Sequence, residues 1–283
     1  MKILILGAKG LLGGALQKVF ANEEVIAYDR EELDVTDFAA LRDSIQKIKP
    51  EVIINCVAWN DVDGAEKNPA GARLLNTTLV LVLAKITKEL NIVLITYSTD
   101  AVFKGDNSLG YKETDTPDPI NEYGRSKYAG EQALEKEGGN FYLIRTSRLY
   151  GPKPSSSGAK ESFVFLMLRL AETNKELRVV DEEPGALTSV ADLAEATKAL
   201  IDEKYPYGLY HLTNSGQGTW HDYAREIFAI LNKNVTLIPV TRAEFKRSAP
   251  SGKYNILLNT KFPPLHDWKV ALKDFLLNEY EKK

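Results

Sequence analysis

Short unbroken apolar runs alternate along this chain with stretches of helical periodicity. Lys2–Leu6 is a run of isoleucine and leucine, and Ala15–Phe20 repeats its apolar positions at helical spacing. The same alternation returns with runs at 24–28, 51–58, 91–98 and 141–146, separated by helical patterns near 37–48, 69–90 and 122–134. Runs that are apolar on both faces suit the interior of a parallel sheet, and strand–helix alternation predicts an α/β fold. Thr36 stands where it can cap the helix running to Ile48. Beyond residue 152, helical patterns at 161–173, 190–203, 219–231 and 268–279 alternate with strand patterns at 177–180, 208–213 and 235–240. The expectation is a Rossmann-type doubly wound parallel sheet, with a smaller α/β C-terminal substrate domain. Residues 1–151 would form the dinucleotide-binding domain and 152–283 mainly the substrate domain, some segments of the latter returning to the first sheet. The stretch Pro152–Ala159, rich in Pro, Ser and Gly, predicts a loop at the boundary, serving as a lid or a simple linker.

Composition narrows the function classes. The 283 residues carry a formal net charge of -3, with 44% apolar and 27% charged residues. Those values describe an ordinary globular chain. A pI near 5.8 with mixed charges argues against a nucleic-acid surface. No apolar run reaches the length of a membrane span, and the start of the chain lacks a signal-peptide pattern. One cysteine, Cys56, leaves no internal disulfide and suits a reducing cytoplasm; it reads as a core residue. Histidines 211, 221 and 266 are scattered, so no metal site is predicted, and His211 reads as structural.

Three features carry chemistry. Gly7-Ala8-Lys9-Gly10-Leu11-Leu12-Gly13 lies between the first strand and first helix. Gly7 allows the tight turn, Gly10 lets the backbone approach a pyrophosphate, and Gly13 lets helix and strand pack closely. The spacing is G-x-x-G-x-x-G rather than the standard fingerprint. Asp29-Arg30 ends the second strand, about 20 residues beyond the first glycine. An acid there holds ribose hydroxyls and an arginine receives a 2′-phosphate, so NADH and NADPH both stay open. Third, Tyr123 and Lys127 are spaced to lie one turn apart on a helix face. An ammonium beside a phenol stabilises the phenolate and makes a proton-transfer device. Thr99, at the end of the fourth strand, can hydrogen-bond a substrate oxygen.

With these features in order, the chain resembles the extended short-chain dehydrogenase/reductases, and within them the dTDP-4-dehydrorhamnose reductase family. The resemblance covers nearly the whole chain. It rests on the Gly7–Gly13 turn, Asn55 to Glu66, Ser98-Thr99-Asp100-x-Val102-Phe103, Tyr123-Gly124-x-x-Lys127, Arg145-Thr146-Ser147, Gly185 to Leu193, and Gly208-Leu209-Tyr210-His211-Leu212 with Trp220. It implies reduction of the C4 keto group of a nucleotide-activated deoxysugar by NADPH or NADH. Tyr123 would be the proton donor, Lys127 would hold the nicotinamide ribose and depress the Tyr123 pKa, and Thr99 would bind the same carbonyl. Gly10, Leu11 and Leu12 would face the pyrophosphate; Asp29, Asp34 and Val35 would flank the adenosine. Ala58, Trp59, Asn60 and Tyr97 would line the cofactor groove, while Asp100 and Arg148 would touch substrate. A nucleotide-sugar substrate, a homodimer, a cytoplasmic location and no nucleic-acid or membrane partner go with it.

The chain departs from the family pattern at two pocket positions. Ala101 replaces the usual tyrosine, and Arg148 stands where a sugar-packing tryptophan is usual. Arg148 would either pair with a phosphate or carboxylate or point to solvent. The alternatives are a nucleotide-sugar epimerase of the same superfamily, or a non-catalytic dinucleotide-binding subunit resembling the regulatory subunit of methionine adenosyltransferase. A dehydratase ranks low, and the epimerase only somewhat higher, since the second acid of the dehydratase Thr-Asp-Glu pattern is Ala101 here.

Overall fold

The computed structural model of the chain describes residues 1–156, 160–245 and 247–280. In order, the first half contains β1 (Lys2–Leu6), α1 (Leu11–Val19), β2 (Glu24–Tyr28), α2 (Phe38–Ile48), β3 (Val52–Asn55), α3 (Val62–Lys67), α4 (Pro69–Arg73), α5 (Leu79–Leu90), β4 (Val93–Thr99), α6 (Glu122–Glu137) and β5 (Phe141–Thr146). The second half adds β6 (Leu149–Tyr150), α7 (Phe163–Thr173), β7 (Glu176–Val180), β8 (Thr188–Ser189), α8 (Val190–Asp202), β9 (Gly208–His211), α9 (Trp220–Ile230), β10 (Thr236–Val240) and α10 (Trp268–Phe275).

Six strands form one parallel sheet in the order β2-β1-β3-β4-β5-β9. The chain winds outward from β1 to β2, then crosses back to β3. The crevice beyond the carboxyl ends of β1 and β3 is therefore the place where such sheets bind ligands. One sheet face carries Ile3, Ile5 and Ile54 against Leu12 and Leu16 of α1 and Leu193 and Leu200 of α8. The other carries Leu4, Leu6 and Ile53 against Leu41 and Ile45 of α2 and Leu79 and Leu83 of α5. These strands are buried on both faces, the reason their apolar runs are unbroken.

A second core is built from α7, α9, α10, β7 and β10. Tyr150, Val164, Leu168, Tyr223, Ile227, Trp268 and Leu272 meet there. The boundary expected near residue 151 is thus crossed twice. α8 packs on the first sheet, and β9 completes its edge through Tyr142↔Gly208 to Arg145↔His211. The Pro152–Ala159 stretch is described only to Ser156; residues 157–159 lie outside the described residues.

Local expectations changed in three places. Asp37, not Thr36, caps α2, because its carboxylate accepts from Ala39 and Ala40 N–H. The helical stretch 69–90 includes a π-helical turn, Leu74–Thr78, beside Asn76. By length and composition that stretch could cross a membrane, contrary to the sequence expectation. Here Leu79, Val80, Leu83, Ala84 and Ile86 fill the core beneath the sheet.

The edge of the sheet holds a buried ionic network. Glu131 and Arg145 pair at 2.6 Å with almost no exposure. Arg145 reaches His211 Nε2 at 3.4 Å, and His211 Nδ1 meets the Leu258 carbonyl at 3.1 Å. Glu113 receives the His211 backbone N–H and binds Thr260. His211 is thus structural, as its strand position implied. Burial holds its imidazole well below its ordinary range. The folded chain therefore refuses a proton that the unfolded chain takes up below about pH 6.5, so stability falls as pH falls through that value. Urea unfolding at pH 7.5 and 5.5 should show a stability loss on acidification that is smaller in His211→Gln. An equal loss in both proteins would exclude His211 as its source.

Candidate active site

The glycine turn sits at the carboxyl end of β1. Gly7 has φ +77°, and the Gly7 and Ala8 N–H groups bind the Tyr28 carbonyl at 2.9 and 3.0 Å. A Cβ at Gly13 would lie 2.3 Å from the Gly7 oxygen, so only glycine permits this approach of helix to strand. Gly10 caps α1 without a side-chain hydrogen bond. The first N–H groups of the helix, at Leu11, Leu12 and Gly13, are left for an anion. Residues 152–155 fold over this end of α1, where the Ser155 and Ser156 N–H groups both bind the Lys9 carbonyl at 3.1 Å. Between them lies a cavity of about 540 Å³ lined by Gly10, Leu11, Gly14, Pro152 and Val190.

Asp29 lies beside the glycine turn. Its carboxylate accepts the Lys9 N–H at 3.0 Å and the Arg30 N–H at 2.9 Å, fixing it beside the turn. Lys9 pairs with Glu31 and Glu32, and Arg30 is exposed. Asp34 binds Thr36, which holds its carboxyl below the usual range, and Val35 packs beneath it against the second sheet face.

Across the crevice, Asn55 turns the chain after β3 by accepting the Val57 N–H. Ala58, Trp59 and Asn60 follow. Asn76, on the π-helical turn, holds this segment from behind. It accepts the Trp59 N–H at 2.9 Å and donates to the Trp59 carbonyl at 3.0 Å and to Ser126 Oγ at 2.9 Å. Ser126 Oγ donates in turn to the Tyr123 carbonyl at 2.7 Å. Asn76 thus joins the cofactor-side loop to α6. Its only mark in the sequence is a polar residue amid an apolar helical pattern.

Asn121 caps α6 by accepting the Gly124 N–H at 2.7 Å, and its amide donates to the Pro250 carbonyl. Tyr123 then faces the end of β4. Burial pushes its phenol up to about 12, the Thr99 hydroxyl pulls it down, and Asp100 pushes it up. Lys127 Nζ donates to the Tyr97 carbonyl at 2.8 Å, and burial brings its ammonium down to about 8. The phenol thus lies above its ordinary value rather than below it as expected, because desolvation is the largest influence on it; the Lys127 ammonium donates to the β4 backbone. Thr99 Oγ1 donates to Asp100 Oδ1 at 2.9 Å and accepts the Ala101 N–H at 3.2 Å. Burial raises the Asp100 carboxyl while Arg148 opposes the rise.

Arg148 does not point to solvent. It has φ +47° and is partly buried. Its guanidinium lies 4.2 Å from the Trp220 ring centroid and donates to the Glu183 and Gly218 carbonyls. It therefore ties the end of the first sheet to the second core. Among the described residues, Asp181, His221 and Asp222 are the His/Cys/Asp/Glu group close enough to share an ion, but Asp222 is engaged by Thr219 and Arg225.

Asp29 thus adjoins the glycine turn, and Thr99, Tyr123 and Lys127 gather at the carboxyl end of β4. The sequence model of the RmlD substrate binding domain matches residues 1–281. The chain belongs to this family. Among relatives of this RmlD-family chain, the dTDP-4-dehydrorhamnose reductase of Shigella flexneri is 37% identical, over 99% of this chain and 98% of the relative. That of Escherichia coli K12 is 35% identical with the same coverage. The crystal structure of Bacillus anthracis dTDP-4-dehydrorhamnose reductase in complex with NADP superposes with TM-score 0.92 at 35% identity, covering 98% of this chain and 99% of that one. A Thermotoga maritima UDP-glucose 4-epimerase shares the fold, with TM-score 0.82 at 20% identity, covering 100% and 99%.

Asn76→Ala should strip partners from the Trp59 backbone and from Ser126. Leaving buried polar groups unpaired costs about 1–3 kcal/mol. Denaturant unfolding should show that loss, and NADPH titration should show weaker binding. A variant with wild-type stability and affinity would refute this bridging role.

Proposed function

We propose that this protein reduces the C4 keto group of dTDP-4-dehydro-β-L-rhamnose to give dTDP-L-rhamnose, using NADPH or NADH. The observation that carries the chemistry is the meeting of Tyr123, Thr99 and Lys127 at the carboxyl end of β4. The reductase names of its relatives and the NADP of the Bacillus anthracis structure support the substrate and cofactor. NADPH or NADH, when held there, would supply the hydride for the sugar C4.

The chain's own residues do the remaining work. Tyr123 stays a neutral phenol at working pH because burial disfavours its anion, which suits a proton donor. Its O–H bond breaks as the C4 oxygen gains the proton, and the phenolate is reprotonated from solvent. Thr99 turns its hydroxyl from Asp100 to the same oxygen. Lys127 holds the nicotinamide ribose and supplies positive charge beside the phenolate. Gly7, Gly10, Leu11, Leu12 and Gly13 cradle the pyrophosphate. Asp29, Arg30, Asp34 and Val35 border the adenosine, and Ala58, Trp59, Asn60 and Tyr97 line the groove. Asp100 bears on the sugar side, and Arg148 shapes that wall through Trp220.

In this reading residues 1–151, with α8 and β9, form the dinucleotide-binding domain, and most of 152–283 binds the sugar nucleotide. A homodimer and a cytoplasmic location accompany it.

NADPH oxidation with freshly generated 4-keto sugar tests the reading. Wild type should turn over, and Tyr123→Phe should fall by about 10²–10⁴-fold in kcat, the range for losing a general acid. No wild-type turnover would reject the substrate. Undiminished turnover in the variant would reject Tyr123 as donor.

A further inference from the structure

Tyr123, Lys127 and Glu131 recur every fourth residue of α6. They form one line on the helix face turned to the sheet. The third member has no part in the chemistry described above. Glu131 is 2% exposed and Arg145, on β5, is 3% exposed. Arg145 Nε donates to the two Glu131 oxygens at 3.0 and 3.2 Å, and one Nη donates at 2.6 Å. A pair so fully desolvated is a weak source of stability, because apolar residues of similar volume often serve the core equally well.

We propose that Glu131, pinned by Arg145, is a positioning residue for proton transfer, its carboxylate keeping Lys127 an ammonium aimed at the Tyr97 carbonyl. The proposal rests on the reductase reading above.

The surroundings of Lys127 isolate Glu131 as the source of negative charge. Cys56, after β3, is pushed up by burial and stays a neutral thiol. Tyr97, on β4, is pushed far up and stays a neutral phenol. Tyr123, one turn back on α6, is likewise neutral. Arg145 from β5 is paired with Glu131, and His211 from β9, kept neutral by burial, lies beyond Arg145 with Glu113 behind it. Glu135, one turn further on α6, has its carboxyl raised by burial and by Glu131 itself. Against the burial that lowers Lys127, Glu131 is the largest opposing influence. Without its charge the lysine loses its proton at lower pH. A neutral Lys127 offers no positive charge to the phenolate left when Tyr123 gives up its proton.

The pH profile of kcat/KM reports ionisations of the free enzyme. With NADPH and the 4-keto sugar, the wild-type alkaline limb should reflect Lys127. In Glu131→Gln that limb should move about one pH unit lower, which is about tenfold less kcat/KM on the alkaline side. Glu131→Gln also strands a buried Arg145 and should unfold more easily. Glu131→Gln with Arg145→Met removes both charges; stability should recover while the limb stays displaced. A limb that returns with stability in the double variant would show a merely structural pair and overturn the proposal. So would a wild-type limb in Glu131→Gln. NADPH affinity against pH, read by tryptophan fluorescence, tests the same ionisation without sugar. A wild type that binds NADPH but does not reduce the sugar overturns the reductase reading alone.

Discussion

The close approach of α6 to the ends of the neighbouring elements is the constraint on which the site depends. A Cβ at Gly124 would lie 2.1 Å from the Ala101 carbonyl oxygen, and one at Gly130 would lie 2.1 Å from the Asn76 oxygen. Real side chains cannot occupy such space, so glycine at these positions lets the helix settle onto the β4 exit and the π-helical turn. That contact sets Tyr123 beside Thr99, puts Lys127 within reach of the Tyr97 carbonyl, and delivers Glu131 to Arg145. Moving the helix outward by one methyl group would disturb all three together.

Around that helix, polar groups tie loops rather than add to the core. Asn76 binds both backbone groups of Trp59 and reaches Ser126, so the cofactor side and the proton-donor side of the crevice share one strut. Asn121 caps α6 and holds Pro250, linking the helix start to the distal loop. Arg148 performs the same office toward the second core, through Trp220 and the Glu183 and Gly218 carbonyls. Its side chain is largely spent on these contacts. The result is a cation stacked on the ring of Trp220 at the start of α9.

Burial then decides the charge states. Tyr123 and Lys127 are both driven toward their neutral forms, in opposite directions on the pH scale. A protonated phenol is ready to donate, while the ammonium persists against desolvation through the Glu131 carboxylate. Spacing alone suggested that lysine tunes tyrosine directly. In the folded chain burial is the largest influence on both groups.

The parallel sheet, the glycine turn, Asp29 and the Tyr123–Lys127 face were legible in the residues because each depends on local periodicity or fixed spacing. Unbroken Ile and Leu runs mean strands buried on both faces, and Gly7 to Gly13 mean a turn that side chains would obstruct. Other features needed the tertiary structure, because they join residues remote in sequence. Which segments return to the first sheet, the hold of Asn76 on Trp59 and the stacking of Arg148 on Trp220 leave no periodic trace. Neither do the pKa directions, which follow from how deeply neighbouring elements bury each group. Short-range pattern determined which elements form and which side chains carry chemistry. Long-range packing decided their partners and their charge, since desolvation and hydrogen bonding depend on whatever the fold brings alongside.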